Sequence, residues 1–409
     1  MIHSPIAAPL TTVLLKTVSE ACNLACDYCY YSKCENKSTI QTFDLDVLEK
    51  FIKEYSSYSN GFMTFVWQGG EPLLAGLPFF EKVIELQKKY GKNGSIISNS
   101  LQTNATLITK EWADFFKEYN FLIGVSIDGP KEIHNKRRPN RGGQGSFAQV
   151  MRGISHLKAA GVEFNILTVV HEDNVLKGQE LMAFYKEEDF RYIQFIPCMD
   201  FQSQDIDAPG KFLITPKEYG KFLCDVFDVW FNDGSPETSI RFFDEYLSVS
   251  LHQQAALCTH RKTCPKTLIL ESNGDAYPCD FYITEDLRLG NIGEDSLTDI
   301  LSSPIYNTFL TKKEDLAERC LDCEFLSFCH GGCPRNRNWT EDANYDYFCE
   351  SFKIIYQYSS DRMNRLTRTI KSQWKQQLIR EGHPLPDRNS LCFCGSGKKY
   401  KKCCALLTV

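Results

Sequence analysis

The sequence predicts an α/β protein: a partial (β/α)6 barrel, then a small cysteine-rich domain and a short cysteine-rich tail. Three observations carry this expectation. Between Val13 and about Phe231, six short apolar runs alternate with helix-period segments, the pattern of βα units around a parallel sheet. Nearly every polar or glycine-rich cluster in that half stands directly after a strand-like run. From about Ser235 onward, long regular elements give way to dense turn signals and clustered cysteines.

The strand-like runs are Val13–Val18, Phe62–Trp67, Ser95–Leu101, Phe121–Ile127, Phe164–Val170 and Tyr192–Ile196. Helical periodicity marks Leu45–Tyr55, Phe79–Tyr90, Phe147–Ala160 and Leu176–Lys186. The strands run into CNLACDYC, QGGEP, QTN, SIDGP, HEDN and PCMD. A doubly wound sheet would give the same alternation. A barrel gathers all post-strand loops on one rim, where chemistry sits, and this favours the barrel. Six units are too few to close a barrel of the eight-stranded size, so an open, three-quarter barrel is expected. The expected division is 1–234 for the barrel, 235–365 for the cysteine-rich domain, 366–388 for a helix and linker, and 389–409 for the tail. Phe352–Leu378 has helical pattern, and Gly382–Asp387 holds two prolines.

The chain has 409 residues, 43% hydrophobic and 24% charged, with a net charge of −6. That is globular composition with length for two or three domains. The negative balance argues against nucleic acid as a partner, and no apolar run is long enough to span a bilayer. Pro5 and Pro9 interrupt the apolar N-terminus and no basic segment precedes it, so a cytoplasmic protein is expected. Its 18 cysteines should then be metal ligands rather than disulfides.

Cys22, Cys26 and Cys29 form a CxxxCxxC. A cubane 4Fe–4S cluster wants a ligand on each of its four irons, and thiolates are the usual ones. Three thiolates leave one iron open to bind and activate a small molecule. A zinc half-site is the alternative, with Cys34 completing it, but no second cysteine pair lies nearby. Eight further cysteines, Cys258, Cys264, Cys279, Cys320, Cys323, Cys329, Cys333 and Cys349, suit two fully ligated cubanes or two zinc sites. In the tail, Cys392 and Cys394 with Cys403 and Cys404 supply the four thiolates of one closed tetrahedral zinc. A module this small has no core without metal. The lysines of its KKYKK run read as a solvated charge run. Cys34, Cys198 and Cys224 are left over; Cys198 and Cys224 are assigned to packing.

CxxxCxxC after the first strand, with Tyr28 before the last cysteine, resembles the radical S-adenosylmethionine (radical SAM) enzymes. So does Gly69-Gly70-Glu71-Pro72 at the end of the second strand, the family's segment for the methionyl amino group. The resemblance implies a 5′-deoxyadenosyl radical that abstracts a hydrogen atom from an unactivated C–H bond. QGGEP (68–72), SLQTN (100–104), SIDGPKEIHN (126–135) and YPCDFY (277–282) are together similar to the anaerobic sulfatase-maturating enzymes, over about residues 10 to 355. These oxidise a Cys or Ser of a sulfatase polypeptide to formylglycine. The likeness implies that Tyr28, Gly70, Ser126, Arg138 and Met199 contact S-adenosylmethionine. It implies three 4Fe–4S clusters: one on the CxxxCxxC and two in an extension called SPASM. Cys258, Cys264, Cys279 and Cys333 would hold one auxiliary cluster, and Cys320, Cys323, Cys329 and Cys349 the other. Asp280 would be the base that takes the substrate's remaining proton, while an auxiliary cluster takes the remaining electron. The tail resembles the SEC-C zinc motif. Implied partners are a sulfatase precursor and an electron donor such as flavodoxin or ferredoxin, with no nucleic acid, no membrane and a monomeric state. A thioether-forming peptide maturase is the competing enzyme; such enzymes often carry an N-terminal leader-binding domain, for which a first strand starting by about Thr12 leaves no room. A zinc scaffold without activity is the non-enzymatic competitor.

Overall fold

A computed structural model describes residues 10, 12–29, 40–199, 214–339 and 344–407. Cys34 and Asp200 of the PCMD segment lie outside these. The chain divides into two compact units: 1–174, 196–213 and 263–315 form the first, and 175–195, 214–262 and 316–409 the second.

The first unit opens with β1 (Thr12–Lys16), α1 (Leu45–Tyr58), β2 (Phe62–Gln68), α2 (Leu77–Tyr90), β3 (Ile96–Thr103) and α3 (Lys110–Glu118). It continues through β4 (Leu122–Ser126), α4 (Lys131–Arg137), α5 (Phe147–Ala160) and β5 (Phe164–Val170). Local chemistry sets several of these boundaries. The Asp44 carboxylate accepts the N–H groups of Asp46 and Val47 at the start of α1, and Thr109 accepts from Trp112 at the start of α3, each satisfying donors the first turn leaves open. Gly161, at φ 66°, ends α5 in the left-handed conformation, which costs glycine little.

β1 to β5 pair in parallel in sequence order. Side chains alternate between the two faces. Met63, Phe65 and Trp67 of β2 are almost fully buried. They pack on the helix side, where Phe65 meets Tyr55 of α1 and Trp67 meets Phe80 of α2 edge-on. The opposite face carries polar groups. Lys16 stands in register with Gln68, Gln102 with Gly124, and Gln102 Nε2 donates to Ser126 Oγ at 3.0 Å. A Cβ on Gly124 would lie 2.1 Å from Gln102 Oε1, so this glycine makes room for the glutamine.

The second unit contains α6 (Gly178–Glu187), most of β6 (Tyr192–Pro197), α7 (Pro216–Phe231), β7 (Ser239–Ile240) and α8 (Arg241–Ser250). Thr215 and Glu218 form a reciprocal capping box ahead of α7, and β6 pairs in parallel with β7. The chain then returns to the first unit. There β8 (Thr267–Leu270) lies parallel to β1, with Leu15 opposite Leu270. β9 (Asp275–Tyr277) and β10 (Gly290–Asn291) follow antiparallel, before α9 (Leu297–Leu301) and α10 (Pro304–Thr311). The cysteine-rich segment thus supplies sheet strands on the outer side of β1. α11 (Glu318–Leu321), α12 (Leu326–Cys329) and the long α13 (Cys349–Arg380) complete the second unit, together with the tail. This is the partial α/β barrel that the alternation implies, followed by a cysteine-rich region and tail. Among the described residues, no helix is long and apolar enough to cross a membrane.

Candidate active site

The loop after β1 holds Cys22, Cys26 and Cys29, all partly buried. It is fixed by backbone bonds to the loop after β2: Gly70 N–H donates to Ser19 O at 2.7 Å and Glu71 N–H to Ala21 O at 2.8 Å. The two glycines are dictated by this approach. A Cβ on Gly70 would stand 2.1 Å from Ala21 O, and one on Gly69, whose φ is 133°, 2.7 Å from Ser19 O. Room for the cysteine loop is therefore a reason for Gly69 and Gly70 in its own right. Glu71 is fully buried. It accepts from Leu73 N–H at 3.0 Å, Thr103 Oγ1 at 2.8 Å and Asn104 N–H at 2.8 Å, which ties in the loop after β3. Burial pushes its carboxyl up to about 7, against those three bonds.

The cysteine sulfurs are held from several sides. Asn104 Nδ2 donates to Cys22 Sγ at 3.7 Å and Leu24 N–H at 3.4 Å. Burial, aided by Glu71, pushes the Cys22 thiol up to about 11. Burial pushes Cys26 up to about 12, with the Arg138 charge opposing. Three partly buried thiols on one loop are the donor set such a cluster takes.

Tyr28 and Arg138 meet at Asp128, which is fully buried just beyond β4. The Tyr28 hydroxyl donates to Asp128, and Arg138 forks onto the same carboxylate at 2.9 and 3.1 Å. Burial pushes the Asp128 carboxyl up, but the Arg138 guanidinium outweighs it and holds it below the usual range. Arg138 also lies 5.3 Å from the Tyr28 ring centre, and His171 stacks on that ring at 5.7 Å. Ser126 ends β4 on the polar face. Met199 is half-buried and follows Cys198, whose N–H donates to Val170 O at 2.8 Å; that bond sets the loop beside the end of β5.

β9 runs back antiparallel to β8, and Asp280, three residues past its end, is paired with Lys16. Lys16 is fully buried at the last position of β1. Beside the pair, Ser19 Oγ donates to Glu271 Oε2 at 2.6 Å and lies 2.8 Å from Ser272 Oγ. Motif reading missed Lys16, Asn104 and Asp128. A lysine ending an apolar strand, and an aspartate after SI, were the available signals.

Of the expected first auxiliary set, Cys264 and Cys279 belong to the first unit and Cys258 and Cys333 to the second. Cys264 and Cys279 share a neighbour, Tyr306, whose hydroxyl donates to Thr267 O. The other set, Cys320, Cys323, Cys329 and Cys349, lines one cavity with Arg319 and Lys353. Burial raises the Cys349 thiol while those two cations lower it, a setting suited to a thiolate-rich anionic cluster. Asp346 braces the cavity: its carboxylate accepts from Cys333 N–H at 2.9 Å and Phe348 N–H at 2.8 Å.

In the tail, the sulfurs of Cys392, Cys394, Cys403 and Cys404 lie within 4.8 Å of one another. Cys394 and Cys403 are 3.5 Å apart, and Cys403 and Cys404 3.9 Å. A tetrahedron with Zn–S of about 2.3 Å has edges of about 3.8 Å, so the four fit zinc. Burial raises the Cys394 thiol, but Ser396 and the neighbouring thiols bring it down to about 6, while burial pushes Cys403 and Cys404 up. A divalent ion removes that conflict.

Residues 17–184 match the radical SAM superfamily, 262–324 an iron–sulfur cluster-binding domain (SPASM) and 388–406 the SEC-C motif. The chain is 38% identical over 370 residues to a cysteine-type anaerobic sulfatase-maturating enzyme of Clostridium perfringens, covering 89% of this chain and 100% of that protein. It is 38% identical over 392 residues to a serine-type enzyme of Bacteroides thetaiotaomicron, covering 91% and 94%. Among solved structures, native anSMEcpe with bound AdoMet and Cp18Cys peptide superposes with a TM-score of 0.82 at 38% identity, over 89% of this chain and 100% of that one. With a three-thiol loop, a thiol-lined auxiliary cavity and full-length likeness of this degree, the chain belongs to the anaerobic sulfatase-maturating enzymes, radical SAM oxidoreductases with auxiliary clusters, and carries a SEC-C tail in addition.

Proposed function

We propose that the protein oxidises a Cys or Ser side chain in a sulfatase-precursor polypeptide to formylglycine, with Asp280 as the base. The observation that carries the assignment of Asp280 is its pairing with Lys16, the last residue of β1 ahead of the cysteine loop. A cluster held by Cys22, Cys26 and Cys29 would, with S-adenosylmethionine, supply the 5′-deoxyadenosyl radical, and an auxiliary cluster would supply the acceptor for the second electron. Tyr28, Gly70, Ser126, Arg138 and Met199 hold and orient the cosubstrate. Arg138, locked on Asp128, keeps a positive charge and the Tyr28 ring in fixed relation to Cys26. The substrate loses one hydrogen atom from Cβ as 5′-deoxyadenosine forms. Its S–H or O–H proton passes to the Asp280 carboxylate, and one electron leaves. Ser gives the aldehyde directly; Cys gives a thioaldehyde that water converts to the aldehyde with loss of hydrogen sulfide.

The reading also assigns the two auxiliary ligand sets, the tail zinc, the domain division 1–234, 235–365, 366–388 and 389–409, a cytoplasmic setting, a monomeric state, and a flavodoxin or ferredoxin as electron donor. The test is anaerobic incubation with S-adenosylmethionine, a reductant and paired Cys- and Ser-containing sulfatase peptides, read by mass spectrometry. At least one peptide should lose two mass units or exchange sulfur for oxygen at the aldehyde level. Asp280→Asn should keep 5′-deoxyadenosine formation and lower formylglycine at least a hundredfold, within the range a general base contributes. Undiminished formylglycine in that variant would refute the base.

A further inference from the structure

Lys16, the last residue of β1, carries an ammonium group on a fully buried side chain. A buried ammonium needs a partner to offset lost hydration. Its partner is Asp280. The Asp280 side chain keeps 16% of its surface exposed, whereas that of Lys16 keeps none. The lysine thus pairs with the carboxylate from a fully buried position and leaves part of it exposed.

We propose that Lys16 is a positioning residue for Asp280: it holds the carboxylate in place and supplies its counter-charge. The inference rests on Asp280 being the base. Three further contacts make the placement specific. Lys16 shares its sheet face with its register partner Gln68, so its side chain rises on the polar face and not among the helices. Thr17 N–H donates to Gln68 O at 2.9 Å, fixing the strand end that carries the lysine. Glu271, the other carboxylate beside Lys16, is held by the Ser19 hydroxyl at 2.6 Å. Proton and electron accounting is unchanged: the lysine forms and breaks no bond.

The test uses the full-length enzyme with all clusters reconstituted, a Cys peptide and S-adenosylmethionine. Formylglycine per 5′-deoxyadenosine is measured in wild type, Lys16→Met, Lys16→Arg, Asp280→Asn and the Lys16→Met/Asp280→Asn double variant. Lys16→Met should lower that ratio at least tenfold with little change in peptide KM, and Lys16→Arg should restore more than half of it. In the double variant, losing Lys16 should cost less than a further twofold, since a residue acting through Asp280 has nothing left to act on. Should methionine cost the fold, seen as lost cluster absorbance, Lys16→Gln takes its place in the same cycle. A wild-type ratio in Lys16→Met, or in Lys16→Gln where that replaces it, overturns the proposal, as does a loss that multiplies independently with Asp280→Asn. If Asp280→Asn itself yields formylglycine normally, the base assignment falls, whatever Lys16 does.

Discussion

Gly70 has no room for a side chain, and the obstruction is backbone. A Cβ there would stand 2.1 Å from Ala21 O, inside the loop that carries Cys22. Relief requires moving that loop, so Gly70→Ala should lose the first cluster, about four of about twelve irons per chain. Iron analysis and electron paramagnetic resonance on anaerobically reconstituted protein read this; full iron content would show that the loop tolerates the methyl. The reason differs from the one a motif supplies. GGEP in the sequence suggests backbone approach to a ligand, and the structure adds backbone approach to the neighbouring loop. Residue types were legible at Cys22, Cys26, Cys29 and Tyr28 because ligand spacing is local. Asp128 was not: its role depends on Tyr28 and Arg138 converging from different loops.

At the scale of elements, periodicity gave β5 and α5 their observed limits. It left out α4, a seven-residue helix with only Ile133 and His134 buried, too short and polar to show a 3.6-residue repeat. The tail shows the opposite balance. Its packed residues are Cys392, Cys394, Tyr400 and Cys404 with a few partly buried neighbours, so the metal must carry its stability. Wild-type protein should hold about one zinc in this module, and Cys404→Ser should release it. Residues 388–407 should then become protease-sensitive, while formylglycine formation continues, since none of the proposed catalytic groups lies there. Zinc analysis with limited proteolysis checks both; retained zinc in the variant would contradict a four-thiolate site.

For the molecule as a whole, buried histidines couple folding to pH, His134 most clearly. His134 is fully buried, lies 3.0 Å from Ser146 Oγ through Nε2 and accepts Asp128 N–H at 3.4 Å through Nδ1. Burial lowers its pKa to about 4 from 6.5, against the attraction of Asp128. The unfolded chain therefore binds a proton below about 6.5 that the native state refuses until about 4. Its contribution is fully present above 6.5 and is lost as pH falls toward 4, up to about 3 kcal/mol for that shift. Denaturant midpoints measured anaerobically from pH 7 to 4.5 should fall more steeply for wild type than for His134→Gln. Parallel profiles would remove the histidine from the account.

The sequence by itself determined the barrel class, the three-thiol loop and the tail's four thiols, because apolar period and ligand spacing are written in neighbouring residues. Only the tertiary structure decided that β8 adds to the free side of β1. That pairing uses backbone N–H and C=O groups, which every residue carries alike, so no side-chain pattern announces it. Yet it is what brings Asp280, from the cysteine-rich segment, against Lys16 at the end of the first strand.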